Sequence, residues 1–208
     1  MCLLVPTYPD EADLIARARS GDFAAFNVLV ERYQGAVYNL CLRMLGSAPA
    51  AEDVAQETFI SAYRSLGRFR DGALRSWLFR IAANACYDEL RRRRARPAVS
   101  LERGDRGEDD ERPVDVASPA PGPAEQLETA ELGLVLQAAI SSLPSDQRLA
   151  VVLRDVQGLE YAEIAAVMDV SLGTVKSRLN RARLRLRTLL LARRELLPSR
   201  FRPSSEDT

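Results

Sequence analysis

Apolar residues recur every three or four positions along the first part of the chain, which predicts amphipathic helices over residues 11 to 96. The clearest apolar stripe consists of Phe26, Leu29, Val30, Tyr33, Val37, Leu40, Cys41 and Met44. A second helix is predicted in SAPAAEDVAQETFISAYRSL, with Ser47 as its N-cap. A third is predicted in LRSWLFRIAANACYDELRRRRAR and ends before Pro97. No stretch alternates in the way a strand would, so the predicted fold class is all-α.

The pattern breaks down after this third helix. Residues 98 to 126 are rich in Pro, Gly, Asp and Glu and hold few large apolar side chains. Such a segment cannot offset the entropy lost on ordering, so we predict a flexible acidic linker. The linker joins two small helical domains, at residues 12 to 97 and 127 to 192. Residues 1 to 11 are then an N-terminal extension and residues 193 to 208 a C-terminal tail.

Helical periodicity returns near Gln126. ELGLVLQAAISSL is predicted to end before Pro144. SDQRLAVVLRDVQG is predicted to begin at a Ser145 cap and to close at Gly158. YAEIAAVMDV is predicted to form the next helix, packing through Tyr161, Ile164, Ala165 and Met168.

The last predicted helix begins at a Ser171 cap and has two distinct faces. Its core-facing stripe is predicted to consist of Leu172, Val175, Leu179, Ala182 and Leu186. The opposite face carries Gly173, Thr174, Ser177, Asn180 and Arg181, flanked by Lys176 and Arg178. Together with the preceding helix and the short turn MDVS, this pattern predicts a helix-turn-helix whose second helix fits a DNA major groove. A basic helix by itself could equally be a solvated face; the adjoining helix, turn and cap favour DNA binding.

The chain carries 29 basic and 29 acidic side chains and has no net charge. The positive charge is concentrated in local clusters. A second basic cluster ends the third predicted helix and consists of Arg91, Arg92, Arg93, Arg94 and Arg96. Cations are favoured at a helix C-terminus in any case. Five arginines exceed that need, so we predict a second DNA-facing module.

Several function classes are excluded by composition. Histidine is absent, the three cysteines are widely spaced, and no phosphate-binding glycine loop is present. Cys41 and Cys86 are predicted to be buried. We therefore expect no catalysis, metal, cofactor or small-molecule substrate. The N-terminal residues do not resemble a signal peptide and no apolar run could span a bilayer, so a cytoplasmic location is expected.

Two blocks of the chain resemble the extracytoplasmic-function (ECF) sigma factors of bacterial RNA polymerase. GLEYAEIAAVMDVSLGTVKSRLNRARLRL resembles their region 4, and AEDVAQETFISAYRSLGRFR with LRSWLFRIAANACYDELRRRR resembles their region 2. The resemblance implies that the chain binds core RNA polymerase, recognises −35 and −10 promoter elements, assists melting and is then released. It also implies an anti-sigma partner, which could hold the chain at the membrane.

The resemblance implies a role for particular residues as well. The helix that docks on the β′ clamp helices of the polymerase would use Asp53, Gln56, Glu57 and Phe59. The −10 element would be met by Arg68, Arg70, Arg75, Asn84, Asp88, Arg91 and Arg92. The −35 element would be met by Ser171, Gly173, Thr174, Lys176, Ser177, Arg178, Asn180 and Arg181, while the rest of that domain rests on the β flap. Trp77 is predicted to be a core residue.

Some alternatives stay open. The three polar residues Asp53, Gln56 and Glu57 could be a solvated face, and the acidic linker could be a tether or a segment that lies in the RNA path. Glu160 and Asp169 depart from the family pattern, at the scaffold-helix cap and at a turn position that is often Gly. The rival functions are a stand-alone helix-turn-helix regulator, which would bind duplex DNA without polymerase, and a metal-dependent nuclease.

Overall fold

The computed structural model describes residues 10–70, 72–95 and 123–192, with side chains from residue 132 in the last range. These ranges contain α-helices and no strand, which confirms the all-α prediction. The helices are α1 (Glu11–Arg19), α2 (Phe23–Leu45), α3 (Ala48–Ser65), α4 (Leu74–Ala95), α5 (Pro123–Ser141), α6 (Ser145–Val151), α7 (Tyr161–Met168) and α8 (Leu172–Ala192). A 3₁₀ turn, Leu66–Arg68, follows α3, and a π-helix, Val152–Val156, follows α6. Arg96 and most of the predicted linker lie outside the described residues.

The first half of the molecule is a bundle of α1 to α4 built around the apolar stripe of α2. Val37, Leu40 and Met44 are completely buried. Phe79, from α4, belongs to the same core and is also fully buried. The N-cap of α2 is Asp22, whose carboxylate accepts from the Ala25 amide at 3.1 Å. The stripe predicted from periodicity is thus the core of this half.

Cys41 and Cys86 are completely buried, as predicted. The hydrogen bond from Cys41, together with burial, holds the pKa of the Cys86 thiol far above its usual range. A thiol that stays protonated is a poor nucleophile and a poor metal ligand. These cysteines therefore act as small apolar core residues.

Four details of the helix boundaries differ from prediction. Ser47 is the N-cap of α3 as predicted, but its side chain makes no capping hydrogen bond, and Pro49 lies in the first turn. Ser145 is the first residue of α6 and not its cap, which is Pro144. Helix α5 begins at Pro123, ahead of Gln126, since proline is suited to a first turn.

The fourth difference is that the helix predicted from Ser145 to Gly158 is not one α-helix. After Val151 it widens into the π-helix, in which the Gln157 amide donates to the carbonyl oxygen of Val152. Gly158 then ends the segment with φ +72°, the left-handed conformation expected of a closing glycine.

The second half contains the predicted helix-turn-helix, formed by α7 and α8. Ile164 of α7 packs with Val175 and Leu179 of α8, and all three are at most 2% exposed. The Ser171 hydroxyl accepts from the Thr174 amide at 3.2 Å and caps α8 as predicted. Leu172, however, is 49% exposed. Its assignment to the core stripe was wrong, because α7 ends at Met168 and does not extend far enough to cover the first residue of α8.

The two halves pack against each other, with α2 and α4 meeting α5, the π-helix and α7. Most of this junction's polar contacts come from side chains of one half and backbone groups of the other. The Gln157 side-chain amide donates to the Ala36 carbonyl at 3.1 Å, and Arg75 donates to the Gln157 carbonyl at 2.6 Å. Arg148 donates to the carbonyl of Met44. Met44 lies at the C-terminus of α2, so Arg148 fills a hydrogen-bonding position that the helix cannot satisfy itself.

The C-terminus of α2 shows this capping most clearly. The Gln137 side chain lies within 3.3 Å of the Arg43 carbonyl and accepts from the Arg43 guanidinium at 2.8 Å. The guanidinium of Arg148 is 9% exposed and also bonds the carbonyls of Ser141 and Leu143. Desolvation lowers the pKa of Arg148, yet the partial negative charge of the helix terminus favours a cation there.

Candidate nucleic-acid interface

The outward face of α8 is the candidate surface for duplex DNA. Ser171, Gly173, Lys176, Ser177, Asn180 and Arg181 are all exposed. Lys176, Asn180 and Arg181 form no side-chain hydrogen bond or ion pair with any other described residue. Free cations and amides on an exposed helix can reach phosphates and base edges, which is what a recognition helix requires.

The hydroxyl groups on this face are already engaged. Ser171 and Thr174 are hydrogen bonded to each other through their side-chain oxygens at 2.9 Å, in addition to the Ser171 cap. The Ser177 hydroxyl donates to the Thr174 carbonyl at 2.9 Å. These three residues therefore stabilise the start of the helix through hydrogen bonds within it.

Three other arginines of α8 are bonded to residues of their own domain. Arg178 is 3.1 Å from the Asp146 carboxylate, and its side chain is only 25% exposed. Arg183 is 2.5 Å from Asp155, and this carboxylate raises the pKa of the Arg183 guanidinium. Arg185 donates to the Gln147 side chain at 3.0 Å. Part of the basic run thus holds α8 onto its own domain, and Arg178 differs in this from the other predicted readers.

The two departures from the family pattern lie at the two ends of α7. Asp169 adopts φ 54° and ψ 51°, and it is the one non-glycine residue with positive φ among those described. An L side chain is strained there, which explains why glycine suits this position. At the start of α7, the Glu163 carboxylate accepts from the Glu160 amide at 2.9 Å, so the N-terminus is capped although Glu160 replaces a hydroxyl residue.

The predicted −10 residues lie mostly on the exposed surface of α4 and the loop before it. Arg68, Arg70, Asn84, Asp88, Arg91 and Arg92 are exposed. Asp88 and Arg91 pair with each other, and Arg92 lies 3.5 Å from the Glu89 carboxylate. Trp77 packs on the core with its ring 5.2 Å from that of Phe69, as predicted.

Arg75 is the exception among the predicted −10 residues. Its guanidinium lies over the Phe79 ring at 5.1 Å and donates to the Gln157 carbonyl in the other half. Nearby, burial raises the pKa of Tyr87 of α4 to about 12. The charges of Arg178 and Asp146 have smaller and opposite effects on this pKa. Arg80 of α4 also lies 3.9 Å from the carboxylate of Asp169, in the turn before α8, so the candidate −10 and −35 surfaces are neighbours in this arrangement.

An open apolar groove of about 990 Å³ lies between α2 and α3. Phe23 and Phe26 meet Tyr63 edge to face, with ring centroids 5.7 and 5.0 Å apart. Gln56, Phe59 and Ile60 also line it, and Asp53 and Glu57 are exposed on the same helix. Aromatic side chains flanked by polar residues are typical of a protein-binding surface.

Sequence reasoning found the polar members of this surface and missed the groove. Phe59 and Ile60 precede Tyr63 by four and three positions, so these residues of α3 form a second apolar stripe beside the core stripe of Val54 and Ala62. That second stripe was the available signal.

The described residues contain neither a cluster that could hold a metal ion nor a helix that could span a membrane. No group of three or more His, Cys, Asp or Glu side chains is placed to hold a metal ion within these ranges. In the same ranges, the helices are too short or too polar to cross a membrane.

The sequence matches two models of sigma-70 proteins: region 2 over residues 29–96 and region 4 over residues 133–186. The RNA polymerase sigma-H factor of Pseudomonas aeruginosa is 40% identical over 181 residues, covering 85% of this chain and 92% of the relative. The ECF RNA polymerase sigma-E factor of Escherichia coli is 42% identical over 177 residues, covering 82% and 88%. This chain belongs to the ECF sigma factors of bacterial RNA polymerase.

Solved structures agree with this membership. CnrH, in complex with the cytosolic domain of CnrY, aligns with a TM-score of 0.62 at 30% identity, covering 88% of this chain and 99% of that one. RpoE of Bartonella quintana, in complex with the anti-sigma factor NepR, aligns with a TM-score of 0.59 at 26% identity, covering 79% and 96%.

Proposed function

We propose that this chain binds core RNA polymerase through its first half and directs the enzyme to promoters through both halves. The observation that carries the proposal is one chain with two separate binding surfaces, a recognition helix facing outward on α8 and an aromatic groove on α2 and α3. The chain contributes binding and positioning, and the polymerase performs the chemistry. The site of action is the cytoplasm.

The polymerase contact is assigned to the groove and its polar edge. The apolar side chains supply buried area, and Asp53, Gln56 and Glu57 supply the polar contacts that set orientation on the β′ clamp helices. Gln56 belongs to both sets, since it lines the groove and is exposed. The β flap is assigned to the second half.

Promoter recognition is divided between α8 and α4. Lys176, Asn180 and Arg181 are assigned to bases and phosphates of the −35 element. Arg68, Arg70, Asn84 and the exposed α4 arginines Arg91 and Arg92 are assigned to the −10 element. Unstacking a base there costs a few kcal/mol, which contacts with the protein must offset. The Asp88–Arg91 pair has to open for either residue to meet DNA.

Promoter binding requires the two halves to separate. Elements two helical turns apart are separated by roughly 70 Å along the duplex. In the packed arrangement, Arg80 of α4 lies 3.9 Å from the carboxylate of Asp169 in the turn before α8, and Asn84 lies one helical turn after Arg80. Surfaces this close cannot meet both elements at once, so the packed arrangement is a resting form. A protein partner of the kind that RpoE binds, an anti-sigma factor, is the expected inhibitor.

Run-off transcription with core polymerase and fragmented DNA of the source genome tests the proposal. Transcripts that depend on the added chain and share upstream elements are the expected result. Replacing Asp53, Gln56 and Glu57 with Ala is expected to reduce polymerase binding, and replacing Lys176 and Arg181 with Ala to reduce promoter use with polymerase binding intact. The Glu31→Ala variant, on an exposed part of α2, is the control.

Tight binding of duplex DNA by the chain alone, with no transcript from any fragment, would contradict the proposal and favour a stand-alone regulator. Equal polymerase binding by the α3 triple variant and wild type would show that Asp53, Gln56 and Glu57 are a solvated face with no role in binding.

A further inference from the structure

The first residue of the recognition helix is an apolar side chain that the fold leaves uncovered. Leu172 is 49% exposed, whereas the next residues of the predicted stripe, Val175 and Leu179, are 0% and 2% exposed. Exposing half of a leucine gives up part of the free energy that its burial would contribute. The side chain therefore contributes little to the core of this domain.

Leu172 lies in the row of the helix that also carries free polar groups. Residues four apart on a helix are neighbours, so Leu172, Lys176 and Asn180 follow one another along the same side of α8. Lys176 and Asn180 are exposed and form no side-chain hydrogen bond or ion pair with other described residues. An apolar residue thus heads a row of candidate base readers.

The position of this row favours direct contact with bases. In helix-turn-helix proteins the N-terminal residues of the recognition helix approach the base edges in the major groove. The hydroxyls next to Leu172 are occupied, since Ser171 bonds Thr174 and Ser177 bonds the Thr174 carbonyl. Leu172 is the apolar side chain at this end of α8.

Thymine is the base that offers an apolar group in the major groove. Its C5 methyl distinguishes it from the other bases, and apolar side chains recognise it by contact. We propose that Leu172 is a specificity-determining residue that contacts the methyl group of a thymine in the −35 element. This inference rests on the proposed function and names one contact within it.

Deoxyuridine provides the test, because it lacks this methyl and keeps every hydrogen-bonding group of thymine. After the promoter has been mapped, each thymine on either strand of its −35 element is replaced singly by deoxyuridine. Holoenzymes reconstituted with wild-type chain, Leu172→Ala or Leu184→Ala are compared at sub-saturating concentration by run-off transcription. Leu184 is the control, because it is 62% exposed and lies about 18 Å further along α8.

We expect one deoxyuridine position to lower wild-type transcription about fourfold, the size of one lost methyl contact. Leu172→Ala should lower transcription from the thymine promoter by a similar factor and show no further loss at that position. Leu184→Ala should keep the full sensitivity. Circular dichroism melting of both variants, expected to match wild type, separates lost contact from lost folding.

Leu172→Ala that keeps the wild-type sensitivity to deoxyuridine would overturn the inference, whether or not it transcribes less. So would a wild-type holoenzyme that is insensitive at every position, or a −35 element without thymine on either strand. These outcomes leave promoter-dependent transcription intact. If wild type gives no transcript with any fragment, the proposed function itself is overturned, and the Leu172 contact with it.

Discussion

Buried side chains within each half differ from those where the halves meet. Inside each bundle the fully buried residues are mostly apolar, such as Val37 and Phe79 in the first half and Ile164 and Val175 in the second; the polar exception, Thr58, donates to the Val54 carbonyl of its own helix. At the junction, two of the buried residues are Arg148 and Gln157, which bond backbone groups of the first half.

This difference indicates which contacts are permanent. Apolar burial is lost only when a helix leaves its bundle, whereas carbonyl oxygens at a helix end are satisfied almost equally well by water. The cores therefore hold each half together, and the junction can exchange its hydrogen bonds for water when the halves move apart. The predictions below test this difference from the largest expected effect to the smallest.

Phe79→Ala should destabilise the first half by about 3–5 kcal/mol, because it empties a fully buried site. Urea unfolding followed by circular dichroism measures this loss. Phe23→Ala is the matched control: Phe23 is 58% exposed, so its truncation should change stability by about 0.5 kcal/mol or less while weakening polymerase binding. Equal destabilisation by the two substitutions would show that the core is not where the structure places it.

Arg148→Met should lower the free energy of unfolding by about 1–3 kcal/mol, since the carbonyls of Ser141, Leu143 and Met44 lose a charged donor. The same variant should be more extended in small-angle X-ray scattering, because one of the three carbonyls belongs to α2. Arg181→Met, on the exposed face of α8, should change neither quantity measurably. A compact and fully stable Arg148→Met protein would show that capping of α2 does not hold the halves together.

Gln157→Ala should shift the balance between packed and separated halves by about 1 kcal/mol, with little change in either core. Arg75→Ala should shift the balance in the same direction, and the double variant should shift it further than either single one, because the Ala36 carbonyl loses its donor in one variant and the Gln157 backbone carbonyl in the other. Fluorescence energy transfer between labels on α2 and α8 reports the balance. A double variant no more separated than either single one would mean that the two bonds act as one contact.

Asp169→Gly should stabilise the second half by about 1 kcal/mol, because glycine adopts φ 54° without strain. Asp169→Ala keeps the strained backbone and also removes the 3.9 Å contact with Arg80, which is exposed and worth little. The two variants should therefore differ in melting temperature, with Gly above wild type and Ala at or below it. Coinciding melting curves would remove backbone strain as the explanation.

The sequence predicts the helices and the recognition motif well because these depend on local periodicity. The stripe of α2, the Ser171 cap and the closing Gly158 follow from spacing and residue type alone. The errors concern properties that depend on distant residues. Leu172 fits the core period, yet α7 ends too early to cover it.

The candidate site was predicted less completely for the same reason. The exposed residues of α8 were found from one helix, but the partners of Arg178 and Arg75 come from elsewhere in the chain, Asp146 and Gln157. The groove needs α2 and α3 side by side, which periodicity in either helix does not reveal. Pairwise geometry between helices is the information that a single sequence lacks.

The most direct measurement asks whether the halves must separate for promoter use. In a Cys2→Ser background, Arg43 and Gln137, which are in contact across the junction at 2.8 Å, are both replaced by Cys and joined with a short bis-maleimide that contains a reducible disulfide. We predict that the cross-linked chain supports no promoter-dependent run-off transcription, that reductant restores it, and that the treated single variants remain active. Full transcription by the cross-linked chain would contradict the account, because packed halves would then be able to serve both promoter elements.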